Sequence, residues 1–309
     1  MAQCEGELLC FSCFYALPEG CIAAVISLTS PRDACRMAAV SRVFRSAADS
    51  DSVWEGFLPS DYQDIIARSE DGVPALLDSL SKKQLYHRLA DRPLLIDGGT
   101  KSFWLDKLSG KKCCMIAARN LTIIWSNTPR YWKWTSMPES RFPEVAELIS
   151  VCWLEIRGKL KTSSLSLGTN YVAYLIFKMT EDARGFYNSV DASLEIAGRR
   201  TEKRTVYLEP NKTRRRYQIM RRLPLRFGHN RRNLQPSPQL SIPREEEEEE
   251  DPHPKQRSDG WLEMKIGEFF TQKEDDAEVE MSMLETKALN WKGGLIVEGI
   301  EIRPKAISL

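Results

Sequence analysis

The sequence is poor in histidine, with three in 309 residues, and it has no surplus of charge: 44 basic residues stand against 43 acidic ones. Such a balance excludes a surface tuned as a whole to nucleic acid or to an anionic membrane. No stretch approaches the roughly 18 consecutive apolar residues of a bilayer-spanning helix, so no transmembrane segment is expected. The apolar run from Leu8 to Leu17 follows Glu5 and Glu7 rather than a basic region, which argues against a secretory signal. Also absent are the G-x-S-x-G elbow, the P-loop, the dinucleotide fingerprint and H-E-x-x-H. With His87 in a helical stretch and His229 and His253 in or beside a loop, no catalytic residue, cofactor or metal is expected. The eight cysteines (Cys4, Cys10, Cys13, Cys21, Cys35, Cys113, Cys114 and Cys152) follow no regular spacing. Cys10 and Cys13 form a C-x-x-C, but no second pair or nearby histidine completes the four ligands of a structural zinc. These read as free thiols of a soluble intracellular protein, with nucleus and cytoplasm both open to it.

What is present is ordered in two periods. A length of 309 residues suggests about two domains. From 18 to 90 the pattern is helical: Ile22, Val25 and Ile26, then Cys35, Met37, Ala38, Val40 and Phe44, recur at three- and four-residue intervals. Pro31-Arg32-Asp33 marks a break and a restart, with proline in the first turn and an acidic residue at its positive end. Tyr62, Ile65, Ile66, Leu76, Leu77, Leu80, Leu85 and Leu89 continue the helical signal as a spacer over 61–92.

After Pro93 the period changes to two. Cys152, Leu154, Ile156 and Leu160 alternate with Trp153, Glu155, Arg157 and Lys159, the mark of a half-buried strand. Tyr171 to Met179 is almost unbroken in its apolar and aromatic character and reads as a central strand covered on both faces. Leu262, Met264 and Ile266, then Val279, Met281 and Met283, then Ile300 and Ile302, alternate with polar residues. Strands without helical patterns between them imply an antiparallel sandwich. The fold class expected is α+β, helices first and a β-sandwich over 93–309.

Balanced totals conceal a segregation. Basic residues dominate from Arg199 to Arg232, and Glu245 through Glu250 with Asp251 follow, with Pro236, Pro238, Pro243, Pro252 and Pro254 scattered among them. Like-charge runs with proline bury no core, so a disordered charged insertion is expected within about 199–258, most plainly from 225. A solvated loop is the plain reading of the basic clusters. A nuclear-import signal or a nucleic-acid patch is the alternative, and nucleic acid is not favoured as a partner.

The helical segment carries Leu17-Pro18-Glu19-Gly20-Cys21-Ile22, Val25-Ile26, Ser30-Pro31-Arg32-Asp33, Val40-Ser41-Arg42-Val43-Phe44-Arg45 and Val53-Trp54. Over 14–60 this resembles an F-box. The resemblance implies three helices that dock on the Skp adaptor of a cullin ubiquitin ligase. By motif position the adaptor contacts would be Leu17, Pro18, Ile22, Val25, Ile26, Pro31 and Asp33, with Met37, Phe44 and Trp54 as the motif's own packing.

Trp125, Tyr131, Trp132 and Trp134 crowd into ten residues, with Asn127, Pro129 and Arg130 between them. Aromatic faces beside carboxylates and amides suit sugars, although each ring taken singly serves equally as core. Glu278, Glu280 and Glu285 supply carboxylates. Trp153, Trp261 and Trp291 read as structural. Ala117 to Trp125, Tyr131 to Trp134, Val145 to Leu148, Val151 to Ile156, Tyr171 to Lys178, Asp259 to Glu263, Gly267 to Phe270, Trp291 to Val297 and Gly299 to Pro304 occur in order. Together they resemble the plant phloem protein two and tobacco-lectin-like family over about 95–305. That resemblance implies a jelly-roll-like sandwich binding N-acetylglucosamine oligomers or N-glycan cores, with Trp125, Trp132, Glu278 and Glu285 as sugar contacts. The insertion is longer and more charged than that family needs. The function expected is a non-catalytic receptor that brings a glycan-bearing substrate to a Skp–cullin ligase, with no membrane partner. Two other readings stand beside it: a soluble stress or defence lectin, and a receptor whose sandwich binds a protein surface.

Overall fold

The computed structural model describes residues 17–69, 77–197, 199–210, 251–272 and 276–306. The described helices are α1 (Glu19–Ser27), α2 (Pro31–Met37), α3 (Arg42–Asp49), α4 (Asp51–Phe57), α5 (Tyr62–Ala67) and α6 (Lys82–Asp91). Their starts follow from side chains that satisfy orphan backbone donors. Ser30 accepts from the Asp33 N–H with Pro31 in the first helical position, and Ser41 accepts from the Phe44 N–H. Ser81 and Gln84 close a reciprocal capping box on α6. The apolar faces meet around Trp54, fully buried, whose indole N–H donates to the Ala48 carbonyl at 2.7 Å.

The same core continues into the sheet. Leu94 and Ile96 of β1 (Leu94–Ile96), with Phe103 and Leu105 of β2 (Lys101–Leu105), pack with Trp54, Tyr86 and Leu89. Two polar ties reinforce the junction: Arg68 donates twice to Asp97, at 2.8 and 2.7 Å, and Lys112 meets Asp61 at 2.7 Å. The helical unit and the sandwich are therefore joined by packing, not by a loose spacer.

The remaining strands are β3 (Lys112–Ala117), β4 (Thr122–Ile123), β5 (Trp132–Thr135), β6 (Val145–Leu148), β7 (Leu154–Lys161), β8 (Asn170–Arg184), β9 (Val190–Ile196), β10 (Arg199–Val206), β11 (Lys255–Gln256), β12 (Leu262–Phe270), β13 (Glu278–Glu285) and β14 (Gly293–Pro304). The larger sheet runs β1-β2-β3-β14-β8-β12-β11, with β6 also on β14 and β5 on β6; the smaller runs β10-β9-β13-β7-β4. Pairings are antiparallel in both, as the period-two patterns predict. In β7, Leu154, Ile156 and Leu160 point inward while Glu155, Arg157, Lys159 and Lys161 stay outside. β8 lies between β14 and β12 with both faces largely covered over Tyr171–Phe177. Ile156, Leu175, Phe177, Met281, Met283 and Ile300 belong to the core between the sheets. β14 carries a bulge between Val297 and Gly299 against β8. A Cβ on Gly299 would stand 2.1 Å from the Ile116 carbonyl oxygen, so only glycine lets the backbones approach.

The limits expected for the charged insertion need correction. Its first stretch is β10, paired along β9 from Arg199 opposite Ile196 to Val206 opposite Val190. Val206 and Leu208 are buried, and β10 is an edge strand, where charged side chains reach water while the backbone pairs. The far end, 251–258, is folded as well and contains β11. Residues 211–250, with the arginine clusters from Arg214 on and the Glu245–Glu250 run, lie outside the described residues, as does the expectation of disorder there. The two ends of that segment meet at a neck: the Tyr207 N–H donates to the Pro252 carbonyl at 2.8 Å, and the Tyr207 and His253 rings stack at 5.2 Å. No described helix is long and apolar enough to cross a membrane.

Candidate functional site

Two regions carry the residues singled out in the sequence. The first is the surface of α1 to α3. Helical spacing splits α1 into two faces. Ile22 and Ile26 turn inward, Ile26 with no exposure at all, whereas Val25 is 46% exposed. Leu17 and Pro18 are exposed, and Pro31 is buried at the start of α2. Of the expected adaptor contacts, then, Leu17, Pro18 and Val25 lie on the surface, Ile22 and Ile26 belong to the unit's own core, and Pro31 is buried at the start of α2. Asp33 does local work: it accepts from the Ser30 hydroxyl at 2.7 Å and pairs with Arg36 at 3.3 Å. Those bonds, the serine's first, hold its carboxyl below the usual range. Leu28, 87% exposed, with Val40 and Val43, extends the set of exposed apolar side chains beyond those read from the motif. Trp54 is core, and Met37 and Phe44 pack against it, as expected.

The second region is one end of the sandwich. Trp125 stands in the turn after β4 in left-handed backbone (φ 62°), 44% exposed, its ring 5.3 Å from that of Tyr131. Trp132 is 2% exposed, packed in the sandwich core, with its indole N–H donating to the Ile124 carbonyl at 3.1 Å. Almost all of its ring is enclosed, and only its margin borders the neighbouring cleft. Trp134 is half-buried, donating to the Ser126 carbonyl while the Arg119 guanidinium covers its ring at 3.8 Å. An open cleft of about 570 Å³ runs past Asn127, Pro129, Trp132, Lys133, Trp134 and Ile149.

The glutamates separate. Glu278 opens β13 on the exposed face, bonded to Lys159 at 2.6 Å. Glu285 closes the same strand, buried against Lys292, whose ammonium also donates to the Cys152 and Asn290 carbonyls. Seven strand steps put them about 23 Å apart. Glu285 pairs across to Leu154, and Ile124 bonds to Glu155, so Trp125 lies at the Glu285 end. The structure thus gathers Trp125, Trp132 and Glu285 at one end, with Trp125 the exposed one of the three, and leaves Glu278 at the other. The odd-numbered parity of β7 already turned Trp153 outward. It is exposed, its indole N–H bonded to Glu155 at 3.0 Å. Trp291 is exposed too, brought beside that segment by the bridge of Val151 to Lys292. These two rings, read as structural from sequence, belong to the surface of this end; Trp261 is buried as expected. Together the exposed rings and nearby amides suit stacking on apolar ligand faces with hydrogen bonds at the rim. Among the described residues no group of three or more histidine, cysteine or acidic side chains is placed to hold a metal.

Comparison with known families and proteins bears on both regions. The Phloem protein 2 family model matches residues 111–304, and the F-box domain model matches 14–56. PP2-B12 of Arabidopsis thaliana is 46% identical over 294 residues, covering 95% of this chain and 99% of that protein. F-box protein PP2-B1 of the same plant is 43% identical, covering 94% of this chain and 90% of its own length. F-box protein PP2-B10 is 43% identical, at 95% and 95%. Among solved structures, a family 35 carbohydrate binding module from Clostridium thermocellum covers 62% of this chain and 96% of its own at 7% identity and a TM-score of 0.30, too remote to bear on function.

Proposed function

This chain belongs to the phloem protein 2 family and carries an F-box, and on that premise we propose that it is the substrate-reading subunit of a Skp–cullin–F-box ubiquitin ligase. The observation that carries the proposal is the division of α1. Ile22 and Ile26 hold the helical unit together, while Leu17, Val25 and Leu28 remain exposed to water. Exposed apolar side chains on a small helical unit are what an adaptor covers. The chain performs no bond chemistry in this role. It acts by proximity, raising the concentration of target lysines near the charged conjugating enzyme. The shared core of helices, β1 and β2 supports this use, because a rigid junction fixes the distance from adaptor to target.

Val25→Asp is expected to stay folded and to lose copurification with the Skp adaptor. Ile26→Asp, which buries a charge, is expected to unfold the helical unit. A folded Val25→Asp, Leu28→Asp double variant that still captures Skp would overturn the reading.

The target-reading end is assigned to the exposed rings near Trp125, and its ligand to an N-acetylglucosamine-bearing glycan or glycoprotein. Trp125 supports this by offering a ring face beside a cleft with amide and hydroxyl groups. Titration of the full chain with N-acetylglucosamine trimer should change tryptophan emission saturably, and Trp125→Ala should abolish the change. No response in the folded chain would leave the sandwich as a reader of protein surfaces. On the same reading the protein works in nucleus and cytoplasm, where such a ligase meets its targets.

A further inference from the structure

The end of the sandwich that carries Trp125 is made of loops that hold large apolar side chains in water: Ile149 and Trp153 between β6 and β7, Leu289 and Trp291 between β13 and β14. Two of the exposed residues stand in unfavourable backbone. Trp125 and Leu289 have left-handed φ values of 62° and 52°, where a bulky side chain is an outlier. Such residues persist only where their surroundings over-determine them, and they gather at surfaces that clamp a ligand. Something must therefore hold these loops.

Lys292 is placed to do so. It is 1% exposed, and its ammonium pairs with Glu285, itself 4% exposed. The same ammonium donates to the carbonyl of Asn290, the residue before Trp291, at 2.8 Å, and to the carbonyl of Cys152, the residue before Trp153, at 3.3 Å. Glu285 in turn accepts from the Ala288 N–H at 3.2 Å, next to Leu289. The Lys292 backbone exchanges two bonds with Val151, at 2.7 and 2.9 Å. From there the ties reach Trp125: the Ile149 and Ser150 N–H groups donate to the Tyr131 carbonyl, and the Tyr131 ring lies 5.3 Å from that of Trp125. A buried ion pair is a weak source of stability, since apolar residues of similar volume often serve as well or better. What those residues would lack is direction, because an ammonium aims three donors and here two of them find loop carbonyls.

We propose that Lys292 and Glu285 are a positioning pair, fixing the loops 149–153 and 286–291 so that Trp153 and Trp291 stand with Trp125 on one target-reading surface. The pair touches no ligand. Glu285, for which the family resemblance implies a sugar contact, acts instead from beneath the surface through Lys292. Trp153 and Trp291 become part of what selects a target, which must cover these rings as well as that of Trp125. The inference rests on the reading of this end as the target-reading one.

Fluorine NMR on the full chain labelled with fluorotryptophan tests it, each line being assigned by a Trp→Phe variant. The double variant Lys292→Met, Glu285→Leu removes both charges and keeps the space filled. It should melt within about 5 °C of the wild type. The lines of Trp153 and Trp291 should shift or broaden, while those of the buried Trp54, Trp132 and Trp261 stay. In a wild-type chain that responds to N-acetylglucosamine trimer, the same double variant should weaken binding roughly tenfold, and Trp153→Ala and Trp291→Ala should weaken it several-fold. Unchanged Trp153 and Trp291 lines in the folded double variant overturn the proposal. So does a shift of the buried lines together with lost cooperative melting, which makes the pair plain core, and so does full affinity in both ring variants. A wild-type chain without response to the trimer overturns the glycan reading alone, because the fluorine lines decide the positioning role without a ligand.

Discussion

Replacing Trp132 by alanine separates a core role from a ligand role. The indole is 2% exposed, lies among the buried residues between the sheets, and satisfies the Ile124 carbonyl at 3.1 Å. Large-to-small changes of a buried Trp cost about 3–5 kcal/mol. The upper part of that range is expected here, because the carbonyl loses its donor and a buried acceptor left unpaired adds about 1 kcal/mol or more. A domain with about 5–15 kcal/mol of stability would lose a large share of it. Trp125→Ala should behave differently. That ring is 44% exposed and meets Tyr131 at 5.3 Å, a contact worth about 0.5–1.5 kcal/mol. Denaturant unfolding of the full chain, followed by far-ultraviolet circular dichroism, reads both. The reasoning fails if Trp132→Ala unfolds within about 1 kcal/mol of the wild type while a saccharide titration collapses, for then the indole serves the ligand and not the core.

Four further outcomes follow from the geometry. Glu301 is buried, which by itself raises a carboxyl, but Arg257, Arg141 and Arg303 outweigh that and hold it below the ordinary range. A depressed native value means stability present above the unfolded carboxylate value of about 4.3 and lost as pH falls through the folded one. Glu301→Gln should therefore flatten the acid limb of a stability–pH curve and cost about 3–5 kcal/mol at neutral pH; an unchanged acid limb would contradict this. Gly299→Ala should destabilise by about 1–3 kcal/mol or more, since its Cβ would meet the Ile116 carbonyl at 2.1 Å. Gly20→Ala, with open space around it in α1, should raise the unfolding midpoint slightly. Finally, Cys113 and Cys114 are buried, which pushes their thiols up, Cys114 to about 12. Peptide mapping after alkylation should find them modified only in denaturant, whereas Cys21 and Cys35 label in the native protein.

Periodicity made much of this legible. Pro31 and Asp33 announced α2, and the alternation through Leu154 to Lys161 gave β7 with its faces the right way round. Parity fixes which side of an element a residue takes, however, and not what covers that side. Ile22 and Ile26 share a stripe that the sequence reads equally well as interface or as core. The inward parity of Trp132 and Glu285 is plain once the strands pair, but a motif position alone does not say that Lys292 waits beneath Glu285. Glu298 and Glu301 look like solvent-facing residues of an alternating strand; the loop through Arg141 and the Trp261 ring, distant in sequence, bury them. The β10 arginines mislead because an edge strand tolerates charges that a central strand would not.

The neck formed by Tyr207, Pro252 and His253 has an evolutionary consequence. Loop closure grows only with the logarithm of chain length, about 0.6 kcal/mol for each doubling. With both ends clamped on the sheet edges, the segment between can lengthen, shorten or change composition while the strands keep their register. Descent can therefore experiment at this one position almost without penalty to the rest of the molecule, and a fluorescent protein or an epitope spliced between 211 and 250 should leave the sandwich standing.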